Sequence, residues 1–126
     1  MLSAALVMPT LPVVDLERAR TFYEGTLGLV PVGPSTPDGI MYECGGATRL
    51  FLYPRAATKA DHTVASFIVD DIERAVNALK ARGVVFQEYD LPQFKTVNSI
   101  ATLASEKAAW FADTEGNILA VSQLLS

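Results

Sequence analysis

An α+β fold made of two βαβββ modules is the fold class this sequence predicts, on three observations. The first is a repeat: Asp15-Leu16-Glu17-Arg18-Ala19 recurs as Asp71-Ile72-Glu73-Arg74-Ala75 with one conservative exchange. The second is its context, since a strand-like apolar run precedes each copy and a helical pattern follows it. The third is what comes next in each half, a set of short apolar runs separated by turn residues. Matched junctions at the same place in each half point to one supersecondary unit used twice. Residues 1–57 are then the first module and 58–126 the second, within a single domain.

Each element has a local reason. Residues 11–14 read as a strand, and the apolar run 1–8 ahead of them reads as its beginning, because it lacks the basic leader of a secretion signal. Leu16, Ala19, Phe22, Tyr23 and Leu27 then recur at the three- and four-residue spacing of an amphipathic helix, as do Ile72, Ala75, Val76 and Leu79. An aspartate opens each helix as an N-cap acceptor, and Asp70 with Glu73 three residues on resembles a capping box. Gly28 and Gly83 close the helices, since glycine takes the left-handed C-cap conformation without strain. Strands follow at 29–32, 40–43 and 49–53 in the first half, and at 84–86, about 101–103, 108–112 and 118–123 in the second. Asp113-Thr114-Glu115-Gly116-Asn117 supplies a tight turn between the last two. Residues 54–61 join the halves.

Composition narrows the function classes. Half of the 126 residues are apolar, enough to bury roughly two thirds of the unfolded surface in an ordered core. No apolar stretch approaches the ~20 residues of a helical membrane span, so no membrane partner is expected. The single cysteine, Cys44, cannot form an internal disulfide; a reducing cytoplasm and a packed thiol are expected. Ten basic residues stand against fourteen acidic ones, a net charge of −4, and the basic ones are scattered singly. That distribution excludes a phosphate-backbone footprint, so no nucleic-acid partner is expected. Gly45-Gly46 lacks the lysine and helix of a phosphate-binding loop, and no nucleophile-elbow motif occurs.

The order of these motifs resembles the vicinal oxygen chelate superfamily, the glyoxalase, bleomycin-resistance and extradiol-dioxygenase group. The residues that carry it are Val14-Asp15-Leu16-Glu17-Arg18-Ala19, Phe22-Tyr23 and Leu27-Gly28 in the first half. In the second they are Phe67-Ile68-Val69-Asp70-Asp71, then Trp110-Phe111-Ala112-Asp113 and Glu115-Gly116-Asn117. The resemblance spans nearly the whole chain. It implies a cupped mixed sheet, a homodimer, and a divalent metal held by His, Glu or Gln on the first and fourth strands of each module. Those positions fall on Met8, on Leu50 or Leu52, on Val64 and on Ala120. None supplies a donor for a hard or borderline divalent cation. The departure implies a cup with no metal and no cofactor, closed to the family's metal-dependent reactions. His62, the only histidine, keeps three readings: an exposed residue at a strand start, a ligand contact at the rim, or a metal ligand in a slipped register.

An apolar cup with a few polar groups is suited to a small molecule. Same-face counting assigns it Met8 and Thr10 from the first strand and Leu52 from the fourth. His62, Val64 and Ser66 come from the strand before the second helix, and Ile118, Ala120 and Ser122 from the last. Trp110 is the leading aromatic, with Tyr42, Phe51 and Tyr53 left to strand parity. The irregular stretch 90–107 offers Phe94, Lys95, Thr96, Asn98 and Ser99 either as a floor or gate or as a plain surface loop. Glu43, Glu88 and Asp90 are available as a base, and their spacing singles none of them out. Three functions remain: a metal-free module binding or sequestering a small, partly apolar ligand; a lyase or isomerase with a non-standard or absent metal; and an assembly subunit. The first is the leading expectation.

Overall fold

The computed structural model describes residues 2–59 and 61–125. Met1, which the sequence pattern places at the head of the first strand, lies outside them. The chain divides into two compact units, Met1–Lys59 with Thr114–Gly116, and Ala60–Asp113 with Asn117–Ser126.

In the first unit, β1 (Thr10–Val13) leads into α1 (Leu16–Arg20), which continues as a π-helical turn (Thr21–Thr26). Strands β2 (Val30–Pro31), β3 (Ile40–Glu43) and β4 (Arg49–Pro54) complete a sheet of order β1-β4-β3-β2, with β1 parallel to β4. The apolar run ahead of Thr10 is not strand. Leu2–Ala4 makes a 3₁₀ turn, and Leu2, Leu6 and Val7 are exposed. Pro9 has no N–H to carry the ladder upstream, although its carbonyl accepts from Phe51 N at 2.9 Å.

The first helix also departs from the expected single α-helix. Leu27 N donates five residues back, to Phe22 O at 2.9 Å. The widened turn lets two consecutive side chains meet Tyr42, which is wholly buried. Tyr23 stacks on its ring at 6.2 Å, and Glu24 Oε2 accepts from its hydroxyl at 2.9 Å. Burial, and then the Glu24 carboxylate, push the Tyr42 hydroxyl above its ordinary pKa. Leu11, Val13, Ile40, Tyr42, Leu50 and Leu52 fill one face of this sheet, with Ala19 and Tyr23 of the helical segment buried among the same core.

In the second unit, β5 (Thr63–Ile68) and α2 (Ile72–Ala81) precede β6 (Thr96–Val97), β7 (Ile100–Thr102), β8 (Glu106–Ala112) and β9 (Ile118–Leu124). The order is β5-β9-β8-β7-β6, with β5 parallel to β9. Residues 84–86 alternate as a strand does, with Val84 and Phe86 buried and Val85 exposed. They make only a bridge, Phe86 to Phe111, on the edge of β8 that β7 uses at Lys107 and Ala108. The helix is capped by Asp71 rather than Asp70. Asp71 Oδ1 accepts from Arg74 N at 3.1 Å, matching Asp15 Oδ1 and Arg18 N at 3.1 Å in the first unit. Glu73 therefore closes no capping box and pairs with Lys107 Nζ at 3.3 Å. Among the described residues, no helix is long and apolar enough to cross a membrane.

The expected turn between β8 and β9 is present. Buried Asp113 accepts from Asn117 N and Nδ2, both at 2.8 Å, and Gly116 takes a φ of 88°. Within the first unit, Glu115 has no exposed side-chain surface and lies at the entrance to α1. It accepts from Val14 N and Asp15 N at 2.9 Å each, from Arg18 Nε at 2.7 Å and Nη2 at 3.0 Å, and from Thr114 Oγ1 at 2.7 Å. Burial is the largest single influence and would push the carboxyl up; the donors, Arg18 foremost, together outweigh it and hold the pKa at about 2.

A depressed folded-state pKa stabilises the fold above the unfolded value, and that stability is lost as pH falls toward 2. Half-exposed Arg18 screens part of the effect, leaving on the order of 2 kcal/mol. Glu115→Gln is expected to lose about that much stability at pH 7. Its urea midpoint should also fall less than that of the parent between about pH 4.5 and about pH 2. Parallel curves with equal midpoints at pH 7 would refute the role given to this carboxylate.

Candidate functional site

Strand alternation sorts the side chains of each sheet into two sets, and directly paired residues project to the same side. In the first unit Thr10 pairs with Phe51 and Leu11 with Leu52. Leu52 is therefore on the helix-covered face, fully buried with Leu50, and is not presented with Thr10 as same-face counting expects. The opposite face holds Thr10, Pro12, Met41, Phe51 and Tyr53. Met8 precedes β1 instead of lying on it and is partly exposed. Parity also resolves the aromatics: Tyr42 is core, whereas Phe51 and Tyr53 are half-buried on the other face. Phe51 lies over Gly39, where an added Cβ would come within 2.4 Å of its ring and of the Leu52 carbonyl.

In the second unit three of the expected residues form one cross-strand row, because Ser66 pairs with Ala120 and Ala120 with Trp110. Ser122 shares that face beside Ile68 and Ala108, and Ile118 lies at its other end. His62 and Val64 do not join the row by alternation. The β5–β9 register slips between Thr63 and Ala65, so Thr63 pairs with Ile118 and takes the side expected for His62. His62 stands exposed ahead of β5, and Val64 sits at the irregularity.

Trp110 is enclosed by two rings that the sequence pattern did not assign to it as a cluster. Tyr89 meets it edge-on at 5.5 Å, and Phe94 lies tilted at 5.3 Å. A small hairpin holds both: Thr96 N donates to Tyr89 O at 2.8 Å and Leu91 N to Phe94 O at 2.9 Å. The available signal was Leu91-Pro92-Gln93-Phe94, with proline at a position favoured in turns. Of the gate candidates, Asn98 and Ser99 instead form the β6–β7 turn, with φ of 53° and 74°. Glu88 braces it, accepting from Ser99 Oγ at 2.7 Å and Thr96 Oγ1 at 2.6 Å, and these bonds lower its pKa. A carboxylate so engaged is a poor general base. Cys44 is no better as a nucleophile, since burial raises its thiol pKa.

The donor set does not fit the divalent metal that the family resemblance implies. Met8, Leu52, Val64 and Ala120 offer no hard donor, and among the described residues no three of His, Cys, Asp and Glu lie together to hold an ion. What the second sheet offers instead is an aromatic surface beside small residues, with the Ser66 hydroxyl exposed next to buried Ala120.

A family model described as the Glyoxalase/Bleomycin resistance protein/Dioxygenase superfamily matches residues 5–121. Among solved structures, TnmS3, an antibiotic binding protein from Streptomyces sp. CB03234, is 22% identical, with a TM-score of 0.70 over 99% of each chain. A lactoylglutathione lyase from Agrobacterium tumefaciens is 18% identical, with a TM-score of 0.68 over 95% of this chain and 93% of that one. A protein from the mobile metagenome of V. Pseudocholerae, VPC_CASS1, reaches 26% identity and a TM-score of 0.66 over 100% and 98%. No curated protein matches the sequence. The first two identities establish likeness of fold alone.

Removing Phe94 strips one face from the indole. Phe94→Ala is expected to shift Trp110 emission to the red, raise its quenching by acrylamide and cost about 1–3 kcal/mol of stability. An unchanged emission maximum would show that the cluster does not enclose the indole.

Proposed function

The chain belongs to the glyoxalase, bleomycin-resistance protein and dioxygenase superfamily, and on that premise we propose that it binds a small, partly apolar molecule without a metal. The observation that carries the proposal is the Ser66–Ala120–Trp110 row with Tyr89 and Phe94 packed on the indole. A methyl group stands at a position where the family places a donor, and the neighbouring rings supply apolar area at low entropic cost. The description of TnmS3 as an antibiotic binding protein makes antibiotics the first ligands to test. Sequestration is preferred to catalysis because, of the candidate bases Glu43, Glu88 and Asp90, Glu88 is committed to the Ser99 turn by hydrogen bonds that lower its pKa, and burial raises the Cys44 thiol pKa. The proposal extends to a cytoplasmic homodimer, on the single cysteine and the family's habit of pairing.

Trp110 is the only tryptophan, so its fluorescence reports this surface alone. Titration with a panel of aromatic antibiotics and cationic metabolites is expected to give saturable quenching with at least one of them. Phe94→Ala, followed by calorimetry, should weaken that ligand about tenfold. A flat response across the panel, or equal affinity in the variant, would remove the case for this surface.

A further inference from the structure

Helix α2 is ten residues long and packs mainly on β8 and β9, and on the same face of β6 and β7 Val97 and Thr102 are exposed. Pairing fixes which face this is. Lys107 pairs with Gln123 and with Thr102, and Gln123 Oε1 accepts from Ile72 N at the helix start. Beside the helix the surface sinks into a cleft of about 410 Å³ lined by Glu73, Lys95, Val97, Ile100, Thr102 and Lys107, with Asn98 at the hairpin tip. An adjoining depression of about 360 Å³ shares Lys95 and Val97 and is otherwise lined by Glu88, Tyr89, Asp90 and Thr96.

Two ammonium groups and one carboxylate line the cleft itself, and the carboxylates of Glu88 and Asp90 lie beyond Lys95 in the adjoining depression. Glu73 engages Lys107, whereas Lys95 enters no ion pair among the described residues. The floor is apolar: Val97 is 63% exposed and Ile100 half-buried, both branched side chains. The wall is preformed, because Glu88 ties the Asn98–Ser99 turn through both the N–H and the hydroxyl of Ser99. Preorganisation lowers the cost of binding, and the volume is within the range of small-molecule sites.

We propose that this cleft binds a small organic anion, a carboxylate or phosphate monoester with a compact apolar body. Its charge lies between Lys95 and Lys107, its body rests on Val97 and Ile100, and the Thr102 hydroxyl is available as a donor. Glu73 competes for Lys107 and so weakens the complex. This site is distinct from the Trp110 surface, because Lys107 and Trp110 project to opposite faces of β8.

The probes are phenyl phosphate and inorganic phosphate, titrated at constant ionic strength and followed by ¹⁵N–¹H correlation spectra of the full chain. Saturable shifts are expected at the amides of Asn98, Ile100, Thr102 and Lys107, with phenyl phosphate half-saturating at the lower concentration. Lys95→Gln should weaken phenyl phosphate about fivefold, and Glu73→Gln should tighten it about two- to threefold. A gain of affinity cannot arise from a misfolded variant. Absence of saturable shifts at these amides, shifts centred on Trp110, or binding unchanged in Lys95→Gln or weakened in Glu73→Gln would each overturn the proposal.

Discussion

Each unit packs one main helical segment against one face of its sheet, and strand alternation decides which residues lie beneath it and which on the other face. A helix with its side chains is about 10 Å across and strands lie about 4.8 Å apart, so one helix closes roughly two strands. In the first unit the covered face takes Leu11, Leu50, Leu52 and Tyr42, leaving Thr10, Phe51 and Tyr53 on the other. In the second, α2 covers β8 and β9. The far face of the same sheet carries Trp110, and the near face carries Lys107 beside the helix and Lys95 farther out.

The duplication is a repeat of backbone satisfaction before it is a repeat of chemistry. Asp15 and Asp71 cap their helices through the same bond at the same length. The units then diverge over the N–H groups that open each helix. Those of Val14 and Asp15 go to the Glu115 carboxylate, whereas that of Ile72 goes to the Gln123 amide. Only the first arrangement is ionic, so the two helix starts should respond differently to acid. The matching arginines differ as well: Arg18 grips Glu115, and no corresponding ion pair is seen at Arg74 among the described residues.

Most strands, both helix starts and the 113–117 turn were legible because each has a local cause (apolar alternation, an aspartate cap, a glycine at positive φ), whereas β6 and the failure of 84–86 to form a strand were not. What was not legible depends on pairing. Leu52 and Thr10 look equally placed until the parallel β1–β4 register sets them on opposite faces. His62 counts onto the face of Ser66 until a one-residue slip in β5 gives that place to Thr63. Trp110 was legible as a candidate, but Tyr89 and Phe94 reach it through a hairpin whose bonds are long-range to any sequence period. The end of the first helix failed for another reason, since a periodic apolar stripe does not distinguish an α-turn from a π-turn closing on Tyr42.

In the proposed reading the Trp110 surface takes its ligand without a metal, because Ala120, which pairs with Trp110, offers no lone pair where the family places a donor. Metal independence is therefore the consequence most exposed to measurement. A ligand found for the Trp110 surface should be titrated calorimetrically into protein stripped with a chelator, and into protein preincubated with zinc, nickel or manganese. Equal affinity and enthalpy in every case are the expected result. Binding that appears only with a metal, or a stoichiometric ion surviving the chelator, would contradict it.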